Sequence, residues 1–279
     1  MADAFENRSV EDVRAYWNAR PCNIRHSPSP RGSERYFAEV EQRKYFVEPH
    51  IPGFADFPAW AGKQVLEVGC GIGTDTMNFA RAGAQVTAVD LSSASLTVAR
   101  ERARVFGLED RIDFVEADAE HLTDFVAPRA YDLVYSFGVL HHTPDPGAAL
   151  RSLRSYTGAH STFKLMMYYR WSWKVLWLLC TEGHFRFWDL DRIIARSSEA
   201  QTGCPVTYSY SRRSLAALLE DAGFAAREMF VDHIFPYRIP EYVKYEYRKV
   251  WYFGVLPDPA FRWLEQKAGW HLCATAVPR

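Results

Sequence analysis

Val65-Leu-Glu-Val-Gly-Cys-Gly-Ile-Gly-Thr74 decides the fold. Gln64–Val68 is a short apolar run of strand length, and Gly69, Gly71 and Gly73 follow it as a turn spaced G-x-G-x-G. Glycines at such a place let backbone N–H groups and the positive end of the next helix approach a ligand closely. Thr74 is expected to cap a helix that Gly83 closes. Working outward, Gln85–Val89, Ile112–Ala117, Tyr131–Tyr135 and Thr162–Tyr168 are further strand-length apolar runs. Ser92 is expected to cap a helix with Leu96, Ala99, Ala103 and Phe106 on one face. Strands and helices alternating at this spacing mean an α/β fold, a parallel sheet with helices on both faces.

Three acids follow the same logic. Glu67 lies beside the glycine turn, Asp90 closes the second strand, and Asp118 ends the third beside Ala119 and Glu120. In a parallel sheet the carboxyl ends of successive strands open on one crevice, where an acid can accept both hydroxyls of a ribose. Together with Val89-Asp-Leu-Ser92, Glu116-Ala-Asp-Ala-Glu120 and Tyr131-Asp-Leu-Val134, the opening stretch resembles the class I S-adenosylmethionine-dependent methyltransferases over roughly residues 62–165. The resemblance implies a Rossmann-like, seven-stranded, mostly parallel sheet whose last strand, Leu272–Val277, runs antiparallel. It also implies S-adenosyl-L-methionine as cofactor, with Gly69 and Gly71 passing the methionine part, Asp90 on the ribose, and Asp118 with the Ala119 amide on the adenine. Glu67, Cys70, Thr74, Leu91, Glu120 and Phe137 are further expected contacts. A nicotinamide dehydrogenase shares the strand-end acid, but the glycine spacing and Asp118-Ala119 argue against it.

Methyl transfer is an in-line displacement, so the protein has to align the nucleophile and, where needed, remove its proton. After the fourth strand, Phe137-Gly-Val-Leu-His-His-Thr-Pro-Asp145 places His141 or His142 as a general base; the alternative is a histidine that merely shapes the loop. Tyr168 and Tyr169 end the fifth strand, where only one of the two can face the crevice, to line the substrate pocket or face the sulfonium; the alternative is one ring in the core and one under the Trp-rich segment. Near the N-terminus, Tyr16 or Trp17 is expected to cover the cofactor as a helical lid. Arg20 or Arg25 is expected to pair with a carboxylate, a solvated basic loop being the alternative.

The organisation expected is an N-terminal helical lid over residues 1–60, a cofactor-binding core over 61–169, and cap insertions with the closing strands over 170–279. Two aromatic-rich insertions interrupt the later strands. One carries Trp171, Trp173, Trp177, Phe185, Phe187 and Trp188; the other, His233–Trp270, is rich in Tyr and Trp. They are expected to pack together and shut water out of an apolar pocket; a membrane-surface patch is the competing reading.

The net charge of −1, with no basic block, points away from nucleic acid. Five scattered cysteines lack metal or disulfide spacing, no clustered carboxylate and amide ligands can be assembled, and no metal is expected. Without an apolar leader, a cytoplasmic enzyme is the expectation, with the oligomeric state, a homodimer included, open. The expected activity is O- or N-methylation of a small molecule, of the kind used in secondary metabolism. The alternatives are a cyclase turning the cofactor into azetidine-2-carboxylate and methylthioadenosine, and a non-catalytic cofactor-binding partner.

Overall fold

β1 (Gln64–Val68) is buried at every position after the first, because it lies mid-sheet with cover on both faces. Around it lie β2 (Gln85–Asp90), β3 (Ile112–Glu116), β4 (Tyr131–Phe137), β5 (Thr157–Tyr168), β6 (Phe224–Asp232) and β7 (His271–Pro278). The order is β3-β2-β1-β4-β5-β7-β6. β1, β2, β3, β4 and β5 pair in parallel, and β7 runs antiparallel to both of its neighbours, as the resemblance implied. The chain leaves β1 in one direction across the sheet and resumes at β4 in the other. That reversal opens a crevice beyond the carboxyl ends of β1 and β4. The computed structural model describes residues 5, 7–183, 186–201 and 203–279.

Upstream of the sheet run α1 (Val10–Ala19), α2 (Glu34–Val47) and α3 (Ile51–Ala55). Within it come α4 (Thr74–Arg81), α5 (Ser93–Phe106), α6 (Pro146–Arg154), α7 (Trp173–Thr181), α8 (Leu190–Gln201) and α9 (Arg212–Asp221). The short α10 (Ile239–Tyr242) and α11 (Trp251–Gly254) and the longer α12 (Asp258–Ala268) separate β6 from β7. Strand periodicity divides the core. Val65 and Leu133 join Met77 of α4, Leu96 of α5, Leu178 of α7 and Ile193 of α8. Leu66 and Val134 face the other way, toward Leu150 and Leu153 of α6 and Leu215 and Leu219 of α9. Each fully buried leucine or isoleucine contributes about 1.5–3 kcal/mol. Among the described residues no helix is long and apolar enough to cross a membrane.

The helix starts mostly follow their sequence signals. Ser9 and Asp12 form a reciprocal capping box on α1, and Ser92 caps α5 by accepting from the Ser95 N–H at 3.1 Å. Thr74 does not cap α4. Gly73 holds the cap position in the left-handed region, α4 begins without any side-chain cap, and the Thr74 hydroxyl instead accepts from the buried Arg102 guanidinium at 2.7 Å. The helix end nearest the crevice therefore keeps its N–H groups free of a side chain of its own.

α2 ties the N-terminal segment to the rest. Its Arg43 is buried, lies 4.0 Å from the Tyr242 ring centre and 4.3 Å from that of Tyr245, and donates to the Tyr242 carbonyl at 2.6 Å. The aromatic insertions behave differently from expectation. Trp173 packs on Tyr252 and Phe253, at 5.8 and 5.7 Å between ring centres, so the two segments touch. Trp171, Trp177, Trp188, Trp251 and Trp263 are, however, between 36% and 83% exposed, so these rings form an outer surface and not a sealed cap. Phe185 and the Phe187 side chain lie outside the described residues.

Candidate active site

The turn after β1 is built by close contact as much as by any ligand. Gly69 has φ 82°, and a Cβ there would stand 2.1 Å from a Val139 methyl, so the loop after β4 can reach the turn only over a glycine. Gly71, at φ 54°, differs: a Cβ would meet nothing within 4 Å and would project into open space. That space is a cavity of about 390 Å³, within the size range of small-molecule sites. Cys70, Thr74, Leu91 and Phe137 line it along with the two glycines.

Asp90 lines the cavity at the end of β2. Its carboxylate accepts from the Gly71 N–H at 2.7 Å and the Ser92 N–H at 2.8 Å, one on each oxygen. A carboxylate oxygen has a second lone pair, so both oxygens can still accept from a ligand. Burial pushes its pKa up to about 6, against the two backbone donors, which favour the charge. Asp118 and Ala119 line the neighbouring stretch, with the Asp118 carboxylate accepting from the Glu120 N–H at 3.0 Å.

Glu67 and Glu120 are placed elsewhere. Glu67 points under α4, where the Thr76 hydroxyl donates to it at 2.5 Å; burial raises its pKa to about 8, and it does not border the cavity. β1 alternates, so the residue beside the turn faces the sheet flank and not the crevice mouth. Glu120 turns outward to accept from the Thr143 hydroxyl and, at 2.8 Å, from the Asp145 N–H, bracing the loop after β4.

α1 lies across the crevice. Val10, Val13 and Trp17 line the cavity, while Tyr16 packs edge-on against Trp17 with Arg20 over its ring at 5.4 Å. Of the two rings on α1, the inward one is thus Trp17. Arg25 is exposed, its carbonyl accepting from the Tyr245 hydroxyl, and the neighbouring His26 reaches the cavity instead.

The two histidines after β4 are placed differently. His142 lines the cavity, and its Nδ1 lies 2.8 Å from the Val206 carbonyl. A carbonyl can only accept, so Nδ1 carries the proton and the Nε2 lone pair is the basic one. His141 is fully buried and does not border the cavity. Its ring lies tilted against that of Tyr168 at 3.8 Å between centres, neither ring nitrogen has a hydrogen-bond partner, and burial holds its pKa well below the usual histidine value. Tyr168 borders the cavity between His141 and Trp270, whereas Tyr169 joins the core on the other face of the sheet.

The rest of the wall comes from residues that no motif marked: Lys44, Glu48, His233, Phe235, Tyr242 and His271. Lys44 pairs with Asp75 at 2.7 Å, under the same helix as Glu67. His233, Phe235 and Tyr242 are what the second aromatic insertion contributes, and the first insertion contributes nothing among the described residues.

Residues 65–158 match the family described as a methyltransferase domain. A ubiquinone biosynthesis O-methyltransferase of Stutzerimonas stutzeri is 40% identical over 110 residues, 39% of this chain and 43% of that protein. The matched region thus spans less than half the length of that curated relative. Among solved structures, magnesium protoporphyrin IX methyltransferase from Synechocystis PCC 6803 with bound SAH superposes with a TM-score of 0.59 at 16% identity, covering 96% of this chain and 98% of that one. Geranyl diphosphate C-methyltransferase from Streptomyces coelicolor A3(2) gives 0.60 at 14% identity over the whole of both chains. At such identities the likeness speaks for the fold.

Proposed function

Because residues 65–158 match a methyltransferase domain, we propose that this chain is a class I S-adenosylmethionine-dependent enzyme that transfers a methyl group from S-adenosylmethionine to an oxygen or nitrogen of a small molecule. The observation that carries the reading is one cavity with two kinds of wall. The glycine turn, Asp90, Asp118 and Ala119 form a cofactor half; His142, Tyr168 and the unmarked polar residues form an acceptor half. The cofactor fits the residues present. Gly71 leaves its Cβ position open to the cavity, and Asp90 keeps acceptor capacity on both oxygens beside it.

When bound, the cofactor supplies a methyl carbon already activated by the sulfonium. The chain's own work is then alignment and proton removal. Asp90 holds the ribose hydroxyls, Asp118 and the Ala119 amide take the adenine, and Trp17 closes the outer side. His142 Nε2 takes the acceptor's proton, with the Val206 carbonyl fixing the tautomer and stabilising the imidazolium that results. Tyr168, packed between His141 and Trp270, presents its ring to the reacting region as a rigid wall.

The acceptor is a small molecule by size, since about 390 Å³ must hold both partners, and by charge, since a net −1 offers no polyanion track. Incubation with methyl-labelled cofactor and a panel of phenolic, carboxylic and amine metabolites tests the reading. S-adenosylhomocysteine should form in equal amount with a methylated acceptor. Methylthioadenosine released without any acceptor, or no turnover across the panel by protein that binds the cofactor, would overturn it.

A further inference from the structure

Three residues far apart in sequence meet in the cavity wall. Glu48 follows α2, His233 follows β6, and His271 opens β7. Each offers one ligand atom, and these atoms all lie within 4.8 Å of one another. The strand order puts β7 and β6 on the far side of β4 and β5 from the strand that carries Asp90, so the cluster belongs to the acceptor half.

The details suit an ion better than a hydrogen-bonded trio. His271 Nε2 and Glu48 Oε1 are 3.6 Å apart, too long for a good hydrogen bond and close to the edge of a tetrahedron around a metal with roughly 2.0–2.2 Å bonds. His233 is 7% exposed, and its Nδ1 has no hydrogen-bond partner. The Val47 carbonyl accepts from the same ring, which puts the proton on Nε2 and leaves the Nδ1 lone pair unused. His233 sits at φ 71°, in the left-handed region where a residue with a Cβ pays strain, so its placement is imposed by the fold.

A supporting shell is present as well. His271 Nδ1 lies 3.0 Å from His50 Nε2, the arrangement by which a ligating imidazole is oriented through its other nitrogen. Lys174 repels a cation from nearby, with its ammonium 4.5 Å from the Trp270 ring centre; the Glu48 carboxylate supplies the opposing charge.

We propose that Glu48, His233 and His271 bind one divalent first-row transition ion of the zinc type. Two imidazoles and one carboxylate select such an ion over magnesium or calcium, which take oxygen ligands, and they leave coordination positions open. Those positions face the cavity, where an acceptor hydroxyl or carboxylate would fill one.

The test needs neither cofactor nor acceptor, so it stands or falls apart from the methyl-transfer reading. Full-length protein freed of metal with a chelator is titrated with cobalt(II), followed by visible absorption and by metal analysis after gel filtration, with zinc(II) as competitor. One equivalent should bind, with the strong visible bands of a four- or five-coordinate ion, and zinc should displace it. Glu48→Gln, His233→Ala and His271→Ala should each weaken binding by at least about tenfold, and His50→Ala by roughly 10–100-fold. His160→Ala, on the exposed start of β5, should change nothing. Glu48→Gln preserves side-chain volume, so the test survives if a histidine variant fails to fold. Absence of bound cobalt in the wild-type protein, or undiminished binding in folded Glu48→Gln, would overturn the site.

Discussion

His141 and His142 are neighbours, both buried, yet their surroundings divide them. His142 has a carbonyl on Nδ1 and a face on the cavity; His141 has a tyrosine ring against it and no polar partner. His142→Asn keeps a donor for the Val206 carbonyl while removing Nε2. It should lower kcat by about 10²–10⁴-fold, the usual worth of a general base, with S-adenosylhomocysteine affinity held. His141→Phe, which keeps the ring contact, should leave kcat within a few-fold. Equal loss in both variants would return the pair to a loop-shaping role. Asp90 makes a second prediction at this scale. Its pKa in the free protein is raised to about 6, and ribose hydroxyls donate to the ionised form, so the bound form has the lower pKa. S-adenosylhomocysteine affinity should hold above pH 6 and fall as pH drops below it, by up to about tenfold per unit. Calorimetry at pH 7.5 and pH 5 measures this, and a flat profile in that window would remove Asp90 from the ribose.

At the scale of elements, one side chain ties the end of α1 down beside the crevice. Asn18 Oδ1 accepts from the Ser92 hydroxyl at 2.9 Å and from the Ala94 N–H at 3.2 Å, so it anchors the end of α1 on the start of α5. Asn18→Ala should loosen Trp17 from the cavity and weaken S-adenosylhomocysteine binding about tenfold, with far-ultraviolet dichroism and the melting temperature nearly unchanged. Unaltered affinity would mean that α1 is a support and not a lid. The same helix shows where sequence stops being readable. Tyr16 and Trp17 point about 100° apart on a helix, and which one turns inward depends on how the helix docks, through a contact made with α5. The sheet was legible because each strand announces itself locally, by apolar runs and by the turn at Gly69–Gly73. Thr74 misled because a threonine before a helix looks like a cap, and only the fold shows Arg102 claiming its hydroxyl. Glu48, His233 and His271 carried no spacing signal, since a cavity wall assembled from α2, β6 and β7 has no period along the chain. The tryptophans of the insertions gave composition without direction, and most of them point outward.

For the whole molecule, the consequence of packing so many imidazoles inside is sensitivity to acid. Among the described residues, five histidines have lowered pKa values: His26 and His233 to about 3, His50 to about 4, and His141 and His271 well below the usual value, with burial the first cause in each. In the unfolded chain each titrates near about 6.5. As pH falls through that value the unfolded state takes up protons that the native state refuses, so native stability drops, and it keeps dropping until the native rings themselves titrate. Buried carboxyls act in the opposite sense, Glu265 among them, its pKa raised first by burial. Glu67, raised to about 8, and Asp90, raised to about 6, bind protons in the native state before they do in the unfolded one, so acid favours the fold through them. The five histidines outnumber the raised carboxyls, so unfolding takes up protons on balance near pH 5. Urea unfolding at pH 7, 6 and 5 should therefore show stability falling ever more steeply, with the slope against pH reporting that proton number. His26→Phe, outside the proposed ion site, should reduce the slope by about one proton. A stability that stays level from pH 6.5 to 5 would show that these rings are not held neutral by the fold, and the cavity wall would have to be wetter than its burial implies.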